Sequence, residues 1–115
     1  MGMDKKKKEC AEERRLTATE IRKALPQGWR VKGRLIESGR LDFASFPTAI
    51  TFVDRLALIA ERENHHPEIM VSWKRVTLQL TTHDAGGVTA LDIRMAGLIN
   101  RLVRSFSGRV RYLNK

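Results

Sequence analysis

With 115 residues the chain can build one hydrophobic core but not two ordinary domains, which typically run to about 100–150 residues each. Its 42% hydrophobic and 30% charged residues exclude a disordered or membrane-embedded protein, and no window approaches the roughly 18 consecutive apolar residues of a membrane span. The net charge of +9 gathers in Lys5 to Lys8 and in the acid-free stretch beyond Asp92, but no helix-turn-helix, zinc-finger or aromatic-rich RNA-binding pattern accompanies it, so a nucleic-acid partner is not expected.

Residues 1–14 read as a basic leader with almost nothing to bury. No apolar run follows the lysines, so no secretory signal is legible, and Lys6 stands where a myristoylation site wants Ser or Thr. The single cysteine, Cys10, cannot close an internal disulfide, which suits a reducing compartment. A cytoplasmic location is expected, and the lysine block is also compatible with nuclear import. One domain is expected over residues 15–107, followed by a basic tail, 108–115.

Thr17 and Glu20 form a capping box, and the helix they open should stop near Leu25, ahead of Pro26 and Gly28. From Trp29 the period changes to two, with Val31, Gly33 and Leu35 on one side, which predicts a half-buried strand. Ser38-Gly39 reads as the turn of an antiparallel hairpin whose returning strand begins with Leu41 and Phe43. A long helix follows from near Ser45, with Phe46, Ala49, Ile50, Val53, Leu56, Ala57 and Ala60 on its apolar face. Phe52 and Ile59 widen that face and hint at a second contact surface.

Pro67 ends the helix by pushing His66 towards extended geometry. Ile69, Val71 and Trp73 alternate as a third strand, and after a turn near Trp73 to Arg75 the fourth shows Val76, Leu78 and Leu80 on one side. A polar loop from His83 to Gly87 leads to a second cap, Thr89 with Asp92, and a last helix over about Ala90 to Phe106. The expected fold is α+β, a four-stranded antiparallel sheet with three helices packed on one face, in the order α-β-β-α-β-β-α. Surplus apolar helix surface and an open sheet face predict self-association.

All three histidines, His65, His66 and His83, lie in two connections that this topology can bring together. Imidazole titrates near neutrality, so converging histidines form a candidate acid/base site. Three histidines are also a zinc ligand set, but neighbours in an extended segment point to opposite sides, which places His65 and His66 poorly around one ion.

Glu61 with His65-His66-Pro67, a strand with Trp73, the strand Val76 to Thr81, then Thr82 to Thr89 and Asp92 resemble the signature of pterin-4a-carbinolamine dehydratases. Weaker similarity runs through Gly28-Trp29 and Phe43 to Ala60, so that the resemblance covers residues 16–106 and omits both basic ends. Ala85 departs from the family, where some members carry cysteine.

The resemblance implies the fold derived above and a hydro-lyase reaction: a 4a-hydroxytetrahydropterin, left by an aromatic amino-acid hydroxylase, loses water to become quinonoid dihydropterin, without metal or redox cofactor. It assigns His65, His66 and His83 as catalytic, leaving open which is acid and which is base. Glu61, Pro67, Trp73 and Asp84 are implied around the substrate, Glu61 and Asp84 holding a histidine or the pterin, Trp73 and Pro67 lining its flat ring. A homodimer or homotetramer with no membrane association is expected. A second role known in the family, partnership with a transcription factor through a helix surface, would fall here on Phe52, Ile59 and Leu102.

Overall fold

The computed structural model describes residues 14–112, the side chains of 111 and 112 excepted; Lys5 to Lys8 and Cys10 lie outside the described residues. Helix α1 (Ala18–Ala24) starts where the capping box predicts: the Thr17 hydroxyl accepts from the Glu20 N–H, and the Glu20 carboxylate accepts from the Thr17 N–H at 2.8 Å. Two strands follow, β1 (Trp29–Lys32) and β2 (Leu35–Ser38), then β3 (Leu41–Phe43) and the long helix α2 (Phe46–Glu63). Strands β4 (Glu68–Ser72) and β5 (Arg75–Leu80), a 3-10 turn over His83–Ala85, helix α3 (Ala90–Arg104) and strand β6 (Val110–Tyr112) complete the order. No described helix is long and apolar enough to cross a membrane.

The six strands occupy four positions in one antiparallel sheet. β5 is central: β4 pairs along one edge, while β2 and β3 lie end to end along the other. Outside them, β1 pairs with β2 and β6 with β3. Side chains of β5 point alternately inward, Val76, Leu78 and Leu80 being buried. They meet Ala49, Phe52, Leu56 and Ala60 of α2 and Met95, Ala96, Ile99 and Val103 of α3 in one core, which Ile21 of α1 joins. Phe43, Phe52 and Phe106 close the core with ring centroids 4.9–5.7 Å apart in tilted and edge-on contacts.

The α+β fold and element order agree with the sequence reading, but the first hairpin turns elsewhere. Lys32 pairs with Leu35, so Gly33-Arg34 is the two-residue turn, with φ +61° at Gly33 and a negative φ at Arg34, the pattern of a type II′ turn. Ser38-Gly39 is instead a β-bulge: between the pairs Glu37–Gln79 and Leu41–Val76, residues 38, 39 and 40 face only 77 and 78. The Ser38 hydroxyl accepts the Leu78 N–H at 3.0 Å, supplying the bond that the bulge removes from the ladder. β3 therefore continues the line of β2 rather than folding back on it.

Two further expectations change at the helices and the C-terminal end. Phe52 belongs to the core and is fully buried, whereas Phe46 is 48% exposed and Leu58, outside the predicted stripe, is 72% exposed. The apolar face of α2 is thus rotated towards Phe52 and Ile59, and Phe52 offers nothing to a partner. The basic segment after Gly108 contributes β6, Leu41 facing Tyr112 and Phe43 facing Val110.

Candidate active site

α2 ends at Asn64, whose left-handed φ of +52° turns the chain out of the helix. The next two residues send their imidazoles to different carboxylates. His65 is nearly enclosed, and its Nε2 lies 2.6 Å from Oδ1 of Asp92. His66 is half exposed, and its Nε2 lies 2.6 Å from Oε2 of Glu61. Glu61, four residues before His65, therefore holds the following histidine. Opposite projection of neighbours in extended backbone accounts for the split.

Asp92 has no solvent exposure, and its bonds show how a charge is kept there. As the third residue of α3 it completes that helix's capping box, Oδ2 accepting the Thr89 N–H at 2.8 Å. The same oxygen accepts the Thr82 hydroxyl at 2.8 Å, while Oδ1 faces His65. Thr82 and Thr89 hydroxyls are 2.8 Å apart, closing the network. Several donors and the positive end of the α3 dipole replace the water a buried carboxylate loses. An accepting carboxylate takes the Nε2–H of His65, which leaves Nδ1 of that ring to accept a proton.

His83 follows Thr82 directly, in the 3-10 turn after β5, and is exposed. Gly86 closes this turn in left-handed geometry (φ +73°), its N–H donating to the His83 carbonyl. Arg15 packs across the next residue: a Cβ on Gly87 would stand 2.8 Å from Arg15 Cδ, so the glycine allows the N-terminal segment its close approach. The connection carrying His83 and the segment carrying His65 are thus both tied to Asp92, one through Thr82 and one through the ring itself.

Pro67 is half-buried beside His66, and Asp84 is exposed within the His83 turn. Trp73 is not drawn to this end. It is 69% exposed in the turn joining β4 to β5, separated from His83 by the whole of β5, roughly 20 Å at about 3.3 Å per residue. The sequence reading saw Asp92 as a helix cap within the motif and missed its reach to His65, 27 residues away in the chain. It also missed Glu63, whose carboxylate joins Arg94 of α3 at 3.1 Å and Arg62 at 3.3 Å beside the site. Among the described residues, no three His, Cys, Asp or Glu side chains converge as metal ligands.

Comparison with known proteins matches residues 14–102 to the family described as pterin 4 alpha carbinolamine dehydratase. A protein of Sulfurisphaera tokodaii, provisionally named a pterin-4-alpha-carbinolamine dehydratase, is 42% identical over 92 residues, 78% of this chain and 98% of that protein. A relative of the same provisional name from Koribacter versatilis is 46% identical over 89 residues, 76% of this chain and 94% of its own. Among solved structures, a transcriptional coactivator/pterin dehydratase from Brucella melitensis superposes with a TM-score of 0.70 at 42% identity, covering 76% of this chain and 97% of that one.

Proposed function

Because the chain belongs to the pterin 4 alpha carbinolamine dehydratase family, we propose that it dehydrates a 4a-hydroxytetrahydropterin to quinonoid dihydropterin and water, recycling the cofactor of aromatic amino-acid hydroxylases. The observation that carries this reading is the double tie to Asp92, which links two separate histidine-bearing connections at one end of the sheet. In the reaction a base removes the proton on ring N5, the nitrogen electron pair forms the C4a–N5 double bond, and the C4a–oxygen bond breaks as an acid protonates the departing hydroxyl. One imidazole with a free lone pair and one carrying a proton suffice for both transfers. His65, its Nε2 proton held by Asp92, has Nδ1 available as acceptor; His66, with Glu61, and His83 complete the set. Asp84 and Pro67 border the substrate.

Stopped-flow dehydration of synthetic carbinolamine tests the assignment. Alanine at His65, His66 or His83 should each lower kcat/KM by about 10²-fold or more, the usual yield of a positioned acid or base. Unchanged turnover in all three variants would reject the site.

The protein acts in the cytoplasm as a homodimer or homotetramer. Self-assembly is supported by β4, which pairs only with β5 among the described strands and carries the exposed Met70 and Val71 along its free edge. A second reading, dimerisation-cofactor-like binding to a transcription factor, is favoured by Leu58, which stands exposed on α2. Leu58→Glu should abolish such binding while leaving turnover intact, and equal loss of both would contradict it.

A further inference from the structure

At the end of the sheet away from the histidines, a cavity of about 350 Å³ opens between β3, the β4–β5 turn and the segment that enters β6. Its last wall, Gly108 to Val110, lies beyond the residues matched to the family, so the cavity is completed by a part of this chain outside the shared pattern.

Three side chains set its electrostatics. Asp42 is buried in register with Arg75 of β5 and Arg111 of β6, and Arg75 Nε stands 3.9 Å from its carboxylate. Lys74 and Arg109, the cations of the lining, have no carboxylate within ion-pair distance among the described residues. Each is held on an aromatic ring instead: Lys74 Nζ lies 4.8 Å from the Trp73 ring centroid and Arg109 Cζ lies 5.0 Å from that of Phe106. Phe106 is fully buried, so the ring beneath Arg109 is packed into the core. Trp73 has a positive φ of 57°, a conformation that a non-glycine residue rarely adopts, at the position that brings Lys74 to the cavity wall. Two cations lining one cavity, with no carboxylate in ion-pair distance of either among the described residues, suit an anion. A forked guanidinium beside an ammonium suits the oxygens of a phosphate. The volume exceeds what one phosphate fills, which leaves room for a small organic substituent.

We propose that this cavity binds a small phosphate monoester, its phosphate between Lys74 and Arg109. The site is distinct from the histidine cluster, being separated from it by the length of β5.

The test is an amide NMR titration of the full chain with inorganic phosphate and with glycerol phosphate, chloride holding the ionic strength constant. Saturable shifts are expected at Phe43, Ala44, Arg109 and Val110, with tighter binding of the ester than of phosphate. Lys74→Gln and Arg109→Gln should each weaken binding by roughly tenfold or more, as loss of a charge-assisted hydrogen bond implies. Lys74 lies in a surface turn, so its variant reports on the site without unsettling the core, and carbinolamine turnover should stay unchanged in it. Three outcomes would overturn the proposal: no saturable shifts up to about 20 mM ligand, a range that covers any useful affinity; shifts confined to the His83–Gly87 loop; or binding only to polynucleotides with a steep salt dependence.

Discussion

A single carboxylate, Asp92, serves helix and imidazole together, so its replacement separates two kinds of loss. Asn at this position keeps the size and can still accept one of the donors, but it removes the charge facing His65 Nε2 and can present an N–H where a lone pair is needed. Asp92→Asn should lower kcat/KM by about 10- to 100-fold, the range seen when a histidine loses the group that orients it. Stability should fall by about 1–3 kcal/mol through the buried donors left unmatched. Thr82→Val supplies the comparison: it deletes one donor to the same carboxylate while leaving the His65 contact, so stability should fall with a smaller effect on rate. Equal rate losses in the two variants would mean that Asp92 acts through packing alone. The histidines were legible in the sequence because all three lie in short polar segments that a motif can hold. The Asp92 contact was not, since a capping box explains Thr89 and Asp92 fully at short range and nothing in it points back to α2.

Turn signals rank local preferences, and the β2–β3 region shows tertiary structure choosing between them. Gly33 and Ser38-Gly39 both permit a reversal; pairing of β2 and β3 with one edge of β5 decides that the first turns and the second bulges. The turn rests on φ +61° at a glycine whose added Cβ would meet nothing within 4 Å, so Gly33→Ala should cost only the backbone term, about 1 kcal/mol, measured as a shift in urea midpoint. β6 escaped the sequence reading because three residues in an arginine-rich segment carry no alternation to detect; its partner β3 supplies the pattern instead.

β2 also carries a titratable element. Glu37, almost wholly buried, accepts from Gln79 at 2.7 Å and from Arg30 at 2.8 Å, with Lys32 3.5 Å away. The Gln79 hydrogen bond first, then that of Arg30, holds its carboxyl below the usual carboxylate value of 4.5. A carboxyl depressed in the folded state stabilises fully above the unfolded value and loses that contribution as pH falls below 4.5 towards the folded one. Glu37→Gln should therefore flatten the stability–pH curve on the acid side of about 4.5, read by urea unfolding between pH 3 and 6. An unaltered curve would mean that the acid response arises elsewhere.

For the molecule as a whole, the two edges of the sheet are unequal. β1 and β6 bound one side, and five basic residues, Arg30, Lys32, Arg34, Arg109 and Arg111, belong to them or to the turns beside them, the kind of charge that discourages further strand pairing. β4 bounds the other side with Met70 and Val71 43% and 40% exposed, and with only Glu68 charged among its five residues. A strand of that length and character with one edge unpaired among the described strands is a template for another strand, and a second copy offers an identical one, which two-fold symmetry would align antiparallel. Val71→Lys adds a charge on that edge without touching the core, so light scattering should show the assembly reduced to monomer at micromolar concentration with the far-ultraviolet circular dichroism unchanged. If the variant keeps the assembly of the parent chain, β4 is not the contact and α2, where Leu58 is 72% exposed, becomes the surface to alter.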